Sequence, residues 1–344
     1  MEAPSSPAGL VAGSRAFTGQ KTAEYLVAAA VWAPSVHNTQ PWWFGADGTE
    51  ISLYADGSRQ LMVADPSGRE MLISCGAALF TARLALRSLG FIPRALILPD
   101  PAQPLLIARL TWQRRAAPAD FELALFAQVR QRRTHRGGFD PRPLASRFLR
   151  VLQEGAERDG ATLRIIADDR DRAVLAAAVE AAELTLRLEA LRVREMAAWV
   201  SAPGSARSDG VPPTSYPARP ARTLPHFPGR DFAHGRGWGL PPSSAEAAAR
   251  YAGVVCLLTT AGDRPADWVN AGQALQRILL TSASCGVAAA LHTQPLELRS
   301  MRQYIGVQLG KGSYPQLVLR LGTVIQTAES VRRPVAGVLF TPPA

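Results

Sequence analysis

The stretch APSVHNTQPWWF, residues 33–44, interrupts a helical pattern in an unusual way. The preceding run AEYLVAAAVW predicts a helix, and Pro34 ends it because proline lacks an N–H and restricts the residue before it. A Ser, a His, an Asn and a Gln follow, and two adjacent Trp residues come after Pro41. Two interpretations remain open: a hydrogen-bonded turn that leads into a strand, or one wall of a pocket for a flat ligand.

The bulk composition predicts a globular protein. The chain has 344 residues, of which 47% are hydrophobic, enough for one large or two ordinary domains. Cys75, Cys256 and Cys285 lie far apart without the spacing of a disulfide framework or a zinc site.

The N-terminus lacks a signal-peptide pattern, and the apolar runs are too short to span a bilayer. We therefore expect a cytoplasmic protein with no membrane partner.

The net charge of +10 raises the question of nucleic-acid binding. Nearly all basic residues are Arg, since Lys occurs only at Lys21 and Lys311. These Arg residues are scattered, and no zinc finger, RNP motif or helix-turn-helix accompanies them. We expect no nucleic-acid partner.

Helical and strand patterns interleave along the chain without the even alternation of a Rossmann fold or a barrel, which predicts an α+β fold. The first group contains a helix up to Val31, the alternating strand EISLYA, a helix from near Arg69 to Gly90 and the strand PLLIARLTW. From about residue 143 the order recurs: a helix to Glu157, the strand ATLRIIA, helical segments from Asp171 to Trp199, the strand GVVCLLTT, a helix from about Asp267 and the alternating strand PQLVLRLGT.

Two of these helices resemble each other. CGAALFTARLALRSLGF and AGQALQRILLTSASCGV have the same spacing between glycines, from Gly76 to Gly90 and from Gly272 to Gly286. Small residues in a helix allow the backbone to approach a neighbouring helix or a ligand. Together with the recurring element order, this spacing predicts an internal duplication, in which two half-copies act as a fused dimer.

A segment rich in Pro and Gly separates the helices of the second group, between Pro203 and Pro242. Long irregular segments inside a compact protein are usually lids, binding loops or disordered linkers. Disordered linkers are poor in aromatic residues, whereas this segment contains Tyr216, Phe227, Phe232 and Trp238. We therefore favour a loop that packs down over a site.

Two basic motifs are candidates for anion binding. RQRRTHRGGF, residues 130–139, combines guanidinium groups with a hydroxyl and paired glycines, and SVRRPVAGVLF contains Arg332 and Arg333. Guanidinium groups bind phosphate bidentately, although exposed Arg clusters are more often simply solvated. The chain lacks the GxSxG, HExxH and GxxxxGK[ST] motifs, and its five His residues show no ligand spacing. We expect neither a metal site nor a protein nucleophile.

These motifs together resemble those of the FMN-dependent nitroreductase family. APSVHNTQPWWF resembles the APSxxNxQPW signature, RRTHR is similar to the R-x-[ST]-x-[RK] phosphate-binding start, GQALQRILLTSASCGV resembles the glycine helix, and VRRPV resembles the basic C-terminal segment. In this chain the motif at residues 33–44 lies in the N-terminal half, and the other three motifs lie after residue 130. That order, with DPSGREMLISCGA and RRTHRGGF, is similar to the Acg-like branch, in which two half-folds are fused.

The resemblance implies a nitroreductase-like α+β fold. It predicts a mixed, mainly antiparallel sheet flanked by helices and internally duplicated as a fused pseudo-dimer, which we expect to be a monomer or a weak dimer. The expected parts are an N-terminal tail (1–20), a first half (21–125) and a second half (126–344), with a candidate lid at 201–243. Only one complete FMN site is expected.

The resemblance also implies the residues of that site. The cofactor-binding residues are Pro34, Ser35, Val36 and Asn38 in the ring-facing turn, Arg132, Arg133, Thr134 and Arg136 at the phosphate and pyrimidine, Gly286, Thr293 and Gln294 near the ring edge, and Arg332 and Arg333 at the phosphate. Gln40 and Trp42 resemble scaffold residues of the turn. No side chain is expected to be catalytic, because FMN carries the chemistry.

The implied reaction is ping-pong electron transfer from NADPH or NADH through FMN to a flat acceptor, such as a nitroaromatic or a quinone. Two alternatives stay open: an FMN-storage protein whose lid closes the site, and a specialised flavin oxidase or dehydrogenase. The chain departs from the family pattern at Thr134, where Ser is commoner, at Cys-Gly-Val in place of Gly-Leu-Gly, and in the Pro-rich insertion. These departures concern substrate access more than FMN binding.

Overall fold

Two β-sheets and two long central helices organise the chain. The computed structural model describes residues 19–219, 221–234, 236–241, 249–324 and 330–340. Of the predicted N-terminal tail (1–20), residues 1–18 lie outside the described residues.

The first sheet is built from the front of the chain and closed by a distant segment. Its strands are β1 (Trp42–Asp47), β2 (Glu50–Ala55), β3 (Phe91–Ile97), β4 (Leu106–Arg115) and β9 (Leu339–Phe340), in the order β3-β4-β2-β1-β9. All neighbours are antiparallel except β1 and β9, which are parallel. In β2, Ile51 and Leu53 are buried on one face, as the alternation predicted.

The second sheet is antiparallel throughout. It contains β5 (Thr162–Ile165), β6 (Val254–Thr260), β7 (Val287–Leu291) and β8 (Tyr314–Thr323), in the order β5-β6-β8-β7. The predicted α+β class with mainly antiparallel pairing is confirmed, with the strands divided between two sheets. The predicted alternation of β8 is wrong: it is buried on both faces, because it is an interior strand with one hydrophobic cluster at Leu317 and Leu319 and another at Val318.

The helices cover these sheets. They are α1 (Gly19–Ala30), α2 (Arg69–Ser88), α3 (Asp120–Ala127), α4 (Ser146–Arg158), α5 (Asp169–Leu188), α6 (Ala190–Ala198), α7 (Pro265–Ser284), α8 (Gln294–Glu297) and α9 (Arg299–Leu309). The helical segments predicted from Asp171 to Trp199 are the two helices α5 and α6, which Glu189 separates with an extended backbone conformation. Of the described helices, α2 alone is long and apolar enough to cross a membrane, and most of it is buried in the core.

The two central helices, α2 and α7, cross at a pair of glycines. A Cβ atom placed on Gly76 would lie 2.1 Å from the Val269 carbonyl oxygen, and one on Gly272 would lie 2.0 Å from the Ile73 carbonyl oxygen. No other residue fits at a backbone contact this close. The similarity of the two helices supports the predicted duplication, while the boundary at residue 125 stays a prediction.

The Pro-rich insertion packs down on the rest of the chain. Val211, Tyr216 and Phe232 form a small hydrophobic core with Val200, at the end of α6. Phe227 is buried in a different cluster, against the second sheet. The prediction of a packed loop rather than a disordered linker is therefore confirmed for these residues. Pro220, Gly235 and residues 242–243 of the insertion lie outside the described residues.

Candidate functional site

One cleft collects residues from distant parts of the chain. It encloses about 1210 Å³ of space, including its open mouth. Its lining comes from six segments and two single residues. The segments are the turn at 34–38, the start of α2 at 70–74, the basic motif at 132–136, the insertion at 210–232, the end of β7 and the following residues at 290–294, and the segment at 330–332; the single residues are Leu275 on α7 and Leu317 on β8. Both predicted halves therefore contribute to it.

The turn after Pro34 is held in a strained conformation. His37, Asn38 and Gln40 have φ angles of 46°, 54° and 49°, in the left-handed region that residues other than glycine seldom occupy. The strain is held by local hydrogen bonds, since the Gln40 N–H donates to Ser35 Oγ at 2.9 Å and the Asn38 N–H donates to the Ser35 carbonyl at 3.0 Å. Strain of this kind concentrates at ligand-binding sites.

Asn38 and Gln40 fasten the turn to the rest of the cleft. The Asn38 side-chain amide donates to the carbonyls of Gly210 (2.9 Å) and Val331 (3.2 Å) and accepts from Arg332 (3.1 Å). The Asn38 amide is therefore engaged with the chain itself, and its assignment to the cofactor stays a prediction. Gln40 donates to the Ser208 carbonyl at 2.9 Å and accepts from the Arg333 N–H at 2.8 Å, which matches the predicted scaffold role.

Three Arg side chains give the cleft an uncompensated positive charge. Arg132, Arg136 and Arg332 all line it, and within the described ranges none of them forms a salt bridge with a carboxylate. Burial lowers the pKa of Arg136 to about 10, and burial together with neighbouring Arg residues lowers the pKa of Arg132 to about 10 and that of Arg332 to about 9. Among the described residues, the Nε atoms of Arg132 and Arg332 are buried and have no hydrogen-bond partner. Cations held away from water without counter-ions indicate a site for an anion.

Three predicted site residues lie outside the lining of this cleft. The Arg133 guanidinium lies 5.3 Å from the centre of the Trp32 ring and donates to the Arg130 carbonyl at 2.7 Å. Arg333 donates to the carbonyls of Gln40 (3.2 Å) and Gly337 (2.7 Å), so it anchors backbone. Gly286, with a φ of 69°, ends α7.

The local backbone explains why Arg133 lies outside the lining of the cleft. Thr134 forms a bridge with Ala289 of β7, so the basic motif is extended at that point, and His135 lines the cleft as well, whereas Arg133 does not. Arg132, Thr134 and Arg136 line the cleft, together with the predicted residues Pro34, Ser35, Val36, Thr293 and Gln294 on its other walls.

Sequence reasoning missed an acidic residue in the cleft wall. Glu70, in the first turn of α2, lines the cleft with a buried side chain. Burial, and then the nearby Glu297, raise the pKa of Glu70 to about 8. Glu70 is part of the stretch DPSGREMLISCGA quoted above. An acidic residue at the start of a helix is ordinarily explained by the helix dipole, so it did not indicate a site residue.

His37, His292 and Arg230 are further cleft residues that the sequence did not indicate. Burial, and then neighbouring Arg residues, lower the pKa of both His residues well below its ordinary value, so both are neutral. Arg320 donates to His292 Nε2 at 2.8 Å. Arg230 pairs with Glu297.

The insertion closes one side of the cleft. Arg136 donates to the Ser215 carbonyl at 2.6 Å, and its guanidinium lies 5.3 Å from the centre of the Phe232 ring. Arg59 donates to the Asp209 carboxylate at 2.9 Å and ties the other end of this segment to the first half. Within the described ranges, no group of three or more His, Cys, Asp or Glu side chains has the arrangement of a metal site.

The chain is similar to several known proteins. No protein-family model matches the chain. The chain is 35% identical over 309 residues to "Putative NAD(P)H nitroreductase Rv3131" of Mycobacterium tuberculosis, covering 89% of this chain and 86% of that protein. It is 29% identical over 312 residues to "Putative NAD(P)H nitroreductase acg" of the same organism, covering 88% and 90%. A similar solved structure is a nitroreductase with bound FMN from Desulfitobacterium hafniense, with 13% identity, a TM-score of 0.40 and coverage of 63% and 98%.

Proposed function

The chain belongs to the nitroreductase family, in its Acg-like branch, and on that premise we propose that it is an FMN-dependent oxidoreductase. It takes electrons from NADPH or NADH and passes them, in a ping-pong order, to a flat acceptor such as a nitroaromatic or a quinone. The observation that carries this proposal is the cluster of Arg132, Arg136 and Arg332 in the cleft. Arg132 is buried, Arg136 and Arg332 are partly buried, and none of them has a carboxylate partner among the described residues.

The donor groups of the cleft suit FMN. A phosphate monoester carries up to two negative charges, and Arg132, Arg332 and the Thr134 hydroxyl are the groups that we assign to it. Arg132 lies 3.5 Å from the Thr134 hydroxyl, and its Nε atom still lacks a partner. The rest of the lining is apolar enough for a flat ring: Pro34, Val36, Ile73, Leu275 and Leu317.

When bound, FMN would supply the redox chemistry. The chain supplies position, charge and exclusion of water. Arg136 is the cation that we assign to the pyrimidine end of the ring, where a buried positive charge favours negative charge on a ligand. Phe232 and the Ser215 carbonyl hold that guanidinium in place from the insertion.

We further propose that the chain acts on small molecules in the cytoplasm, without a nucleic-acid or membrane partner. The turn at 34–38 and the basic motif at 132–136 line the same cleft. One chain can therefore supply both walls of the site, and the proposed activity needs no second copy.

A visible absorption spectrum tests this function. We expect the purified protein, alone or after incubation with FMN, to show flavin bands that NADPH or NADH bleaches under nitrogen and a quinone restores. A protein that stays colourless after incubation with FMN would rule the proposal out. Oxygen consumption without added acceptor would instead favour a flavin oxidase.

FMN storage is the second candidate, and the attachment of the insertion favours it. Asn38, Gln40 and Arg136 each hydrogen-bond a backbone carbonyl of residues 208–215, and Arg59 adds a salt bridge to Asp209. A segment held at four points could retain FMN and obstruct the nicotinamide. In that case the flavin bands would be present, but neither NADPH nor NADH would bleach them rapidly.

We predict that Asp209→Asn loosens the insertion. Partial burial alone would raise the pKa of Asp209, but hydrogen bonds from Arg59 and Arg207 hold it below its ordinary value, so the carboxylate is ionised at neutral pH. Losing the ion pairs should cost about 1 kcal/mol, which corresponds to about a fivefold faster release of FMN. The release rate can be followed by flavin fluorescence after dilution.

Asp47→Asn, an exposed change at the end of β1, is the control for this experiment and should leave the release rate unaltered. Equal release from wild type and Asp209→Asn would show that the ion pairs do not hold the insertion closed.

A further inference from the structure

A buried acid in the cleft wall has no role in the function proposed so far. The Glu70 side chain is 7% exposed, and its Oε1 atom accepts a hydrogen bond from Arg69 at 3.0 Å. Its Oε2 atom is buried and has no hydrogen-bond partner within the described part of the chain. A carboxyl group with one satisfied and one unsatisfied oxygen is costly to bury as a carboxylate, but as an acid it can offer an O–H to a ligand.

The groups that face Glu70 come from four elements. Arg69 on the same helix and Arg230 on the insertion favour the carboxylate, while Asp65 in the preceding loop and Glu297 on α8 oppose it. The start of α2 also favours negative charge. Burial is the largest influence and raises the pKa of Glu70 to about 8, so the acid form is favoured at neutral pH.

Four other titratable groups of the cleft are poorly suited to donate a proton. His37 and His292 are neutral, because burial lowers their pKa well below the ordinary value. The guanidinium groups of Arg132 and Arg136 keep a pKa of about 10 and hold their protons tightly near neutral pH.

We propose that Glu70 is a catalytic acid that protonates the acceptor. This inference rests on the function proposed above. Reduction of a quinone by NADPH or NADH delivers a hydride, which carries two electrons and one hydrogen, and the second hydrogen must arrive as a proton. The O–H bond of Glu70 breaks, a bond forms between that proton and an acceptor oxygen, and the carboxylate left behind takes a proton from solvent. The products are NADP⁺ or NAD⁺ and a hydroquinone.

The kinetic test compares two acceptors. Ferricyanide takes electrons without protons, whereas a benzoquinone needs both. In Glu70→Gln we expect bleaching by NADPH or NADH and reoxidation by ferricyanide to stay within about twofold of wild type, while reoxidation by the quinone slows about 100-fold. Glutamine has the shape of the neutral acid, so the variant should fold. Glu70→Asp keeps an acid one methylene shorter and should restore part of the quinone rate.

A second test does not depend on turnover. Infrared spectra of the cofactor-free protein should show the carbonyl band of a protonated carboxylic acid at neutral pH, which fades as the pH rises past about 8. Glu70→Gln should lack this band. Glu154→Gln, an exposed change on α4, should keep both the band and the quinone rate of wild type.

The outcomes separate the two proposals. Suppose that NADPH or NADH bleaches the wild-type protein. If Glu70→Gln then slows reoxidation by ferricyanide and by the quinone equally, or slows neither, the role of Glu70 is overturned and the proposed function stands. The persistence of the acid band in Glu70→Gln would overturn the role of Glu70 as well. If neither nucleotide bleaches the wild-type protein, the proposed function fails, and the role of Glu70 fails with it.

Discussion

Gly272→Ala is expected to destabilise the protein by more than about 3 kcal/mol, or to prevent folding altogether. In an exposed helix this substitution would be stabilising, because alanine is the better helix former by about 1 kcal/mol. Here the new methyl group would lie 2.0 Å from the Ile73 carbonyl oxygen, so α2 and α7 must separate. Separation would open the packed contacts along two buried 20-residue helices. Urea unfolding of the cofactor-free protein, followed by circular dichroism, measures the loss.

Gly57→Ala is the matched control. Gly57 has no atom within 4 Å of the position of an added Cβ, so the same change should alter the unfolding free energy by less than about 1 kcal/mol. Gly76→Ala, which meets the Val269 carbonyl at 2.1 Å, should behave like Gly272→Ala. A Gly272→Ala protein as stable as wild type would show that the two helices do not cross in the way described.

Arg132→Gln is expected to weaken FMN binding about 100-fold. Arg132 is 4% exposed and has no carboxylate partner in the described ranges, so a bound phosphate would be its counter-ion. Losing a charge-assisted bidentate contact costs about 3 kcal/mol, which corresponds to that loss of affinity. Riboflavin lacks the phosphate, so its affinity should change little. Quenching of flavin fluorescence measures both dissociation constants.

The same substitution should act in the opposite direction on the cofactor-free protein. Removing a buried, unpaired cation relieves its desolvation cost, so the unfolding temperature should rise. Arg147→Gln, which removes one exposed positive charge on α4, controls for net charge and should leave both affinities unchanged. An Arg132→Gln protein that binds FMN and riboflavin with unaltered affinities would contradict the assignment of Arg132 to the phosphate.

Local patterns were enough to predict much of the fold. Pro34 fixed the end of α1, and the glycine spacing identified the two helices that cross at Gly76 and Gly272. The alternation predicted for β8 failed for a tertiary reason. Both faces of an interior strand are covered, and which strand lies in the interior depends on the pairing of β6, β7 and β8.

The sequence predicted which motifs form the site, but it predicted less well which side chains of each motif face the cleft. The motif at residues 132–136 contains several cations, but the bridge between Thr134 and Ala289 decides which of them face the cleft. Glu70 was missed because its chemistry comes from residues far away in the chain. Glu297 and the insertion create its buried surroundings, and no local pattern near residue 70 encodes them.

The parallel pairing of β9 with β1 imposes an order on events during synthesis. Phe44 and Leu339 are partners in this pairing, although almost the whole chain separates them. Arg332 lies just before β9 and reaches the turn at Asn38. A nascent chain on the ribosome can form β1 and the turn early, but it lacks one wall of the cleft until residues 330–340 emerge. On the proposed function, cofactor capture must therefore wait for residues 330–340, and a chain that ends before that segment would lack Arg332, which we assign to the phosphate.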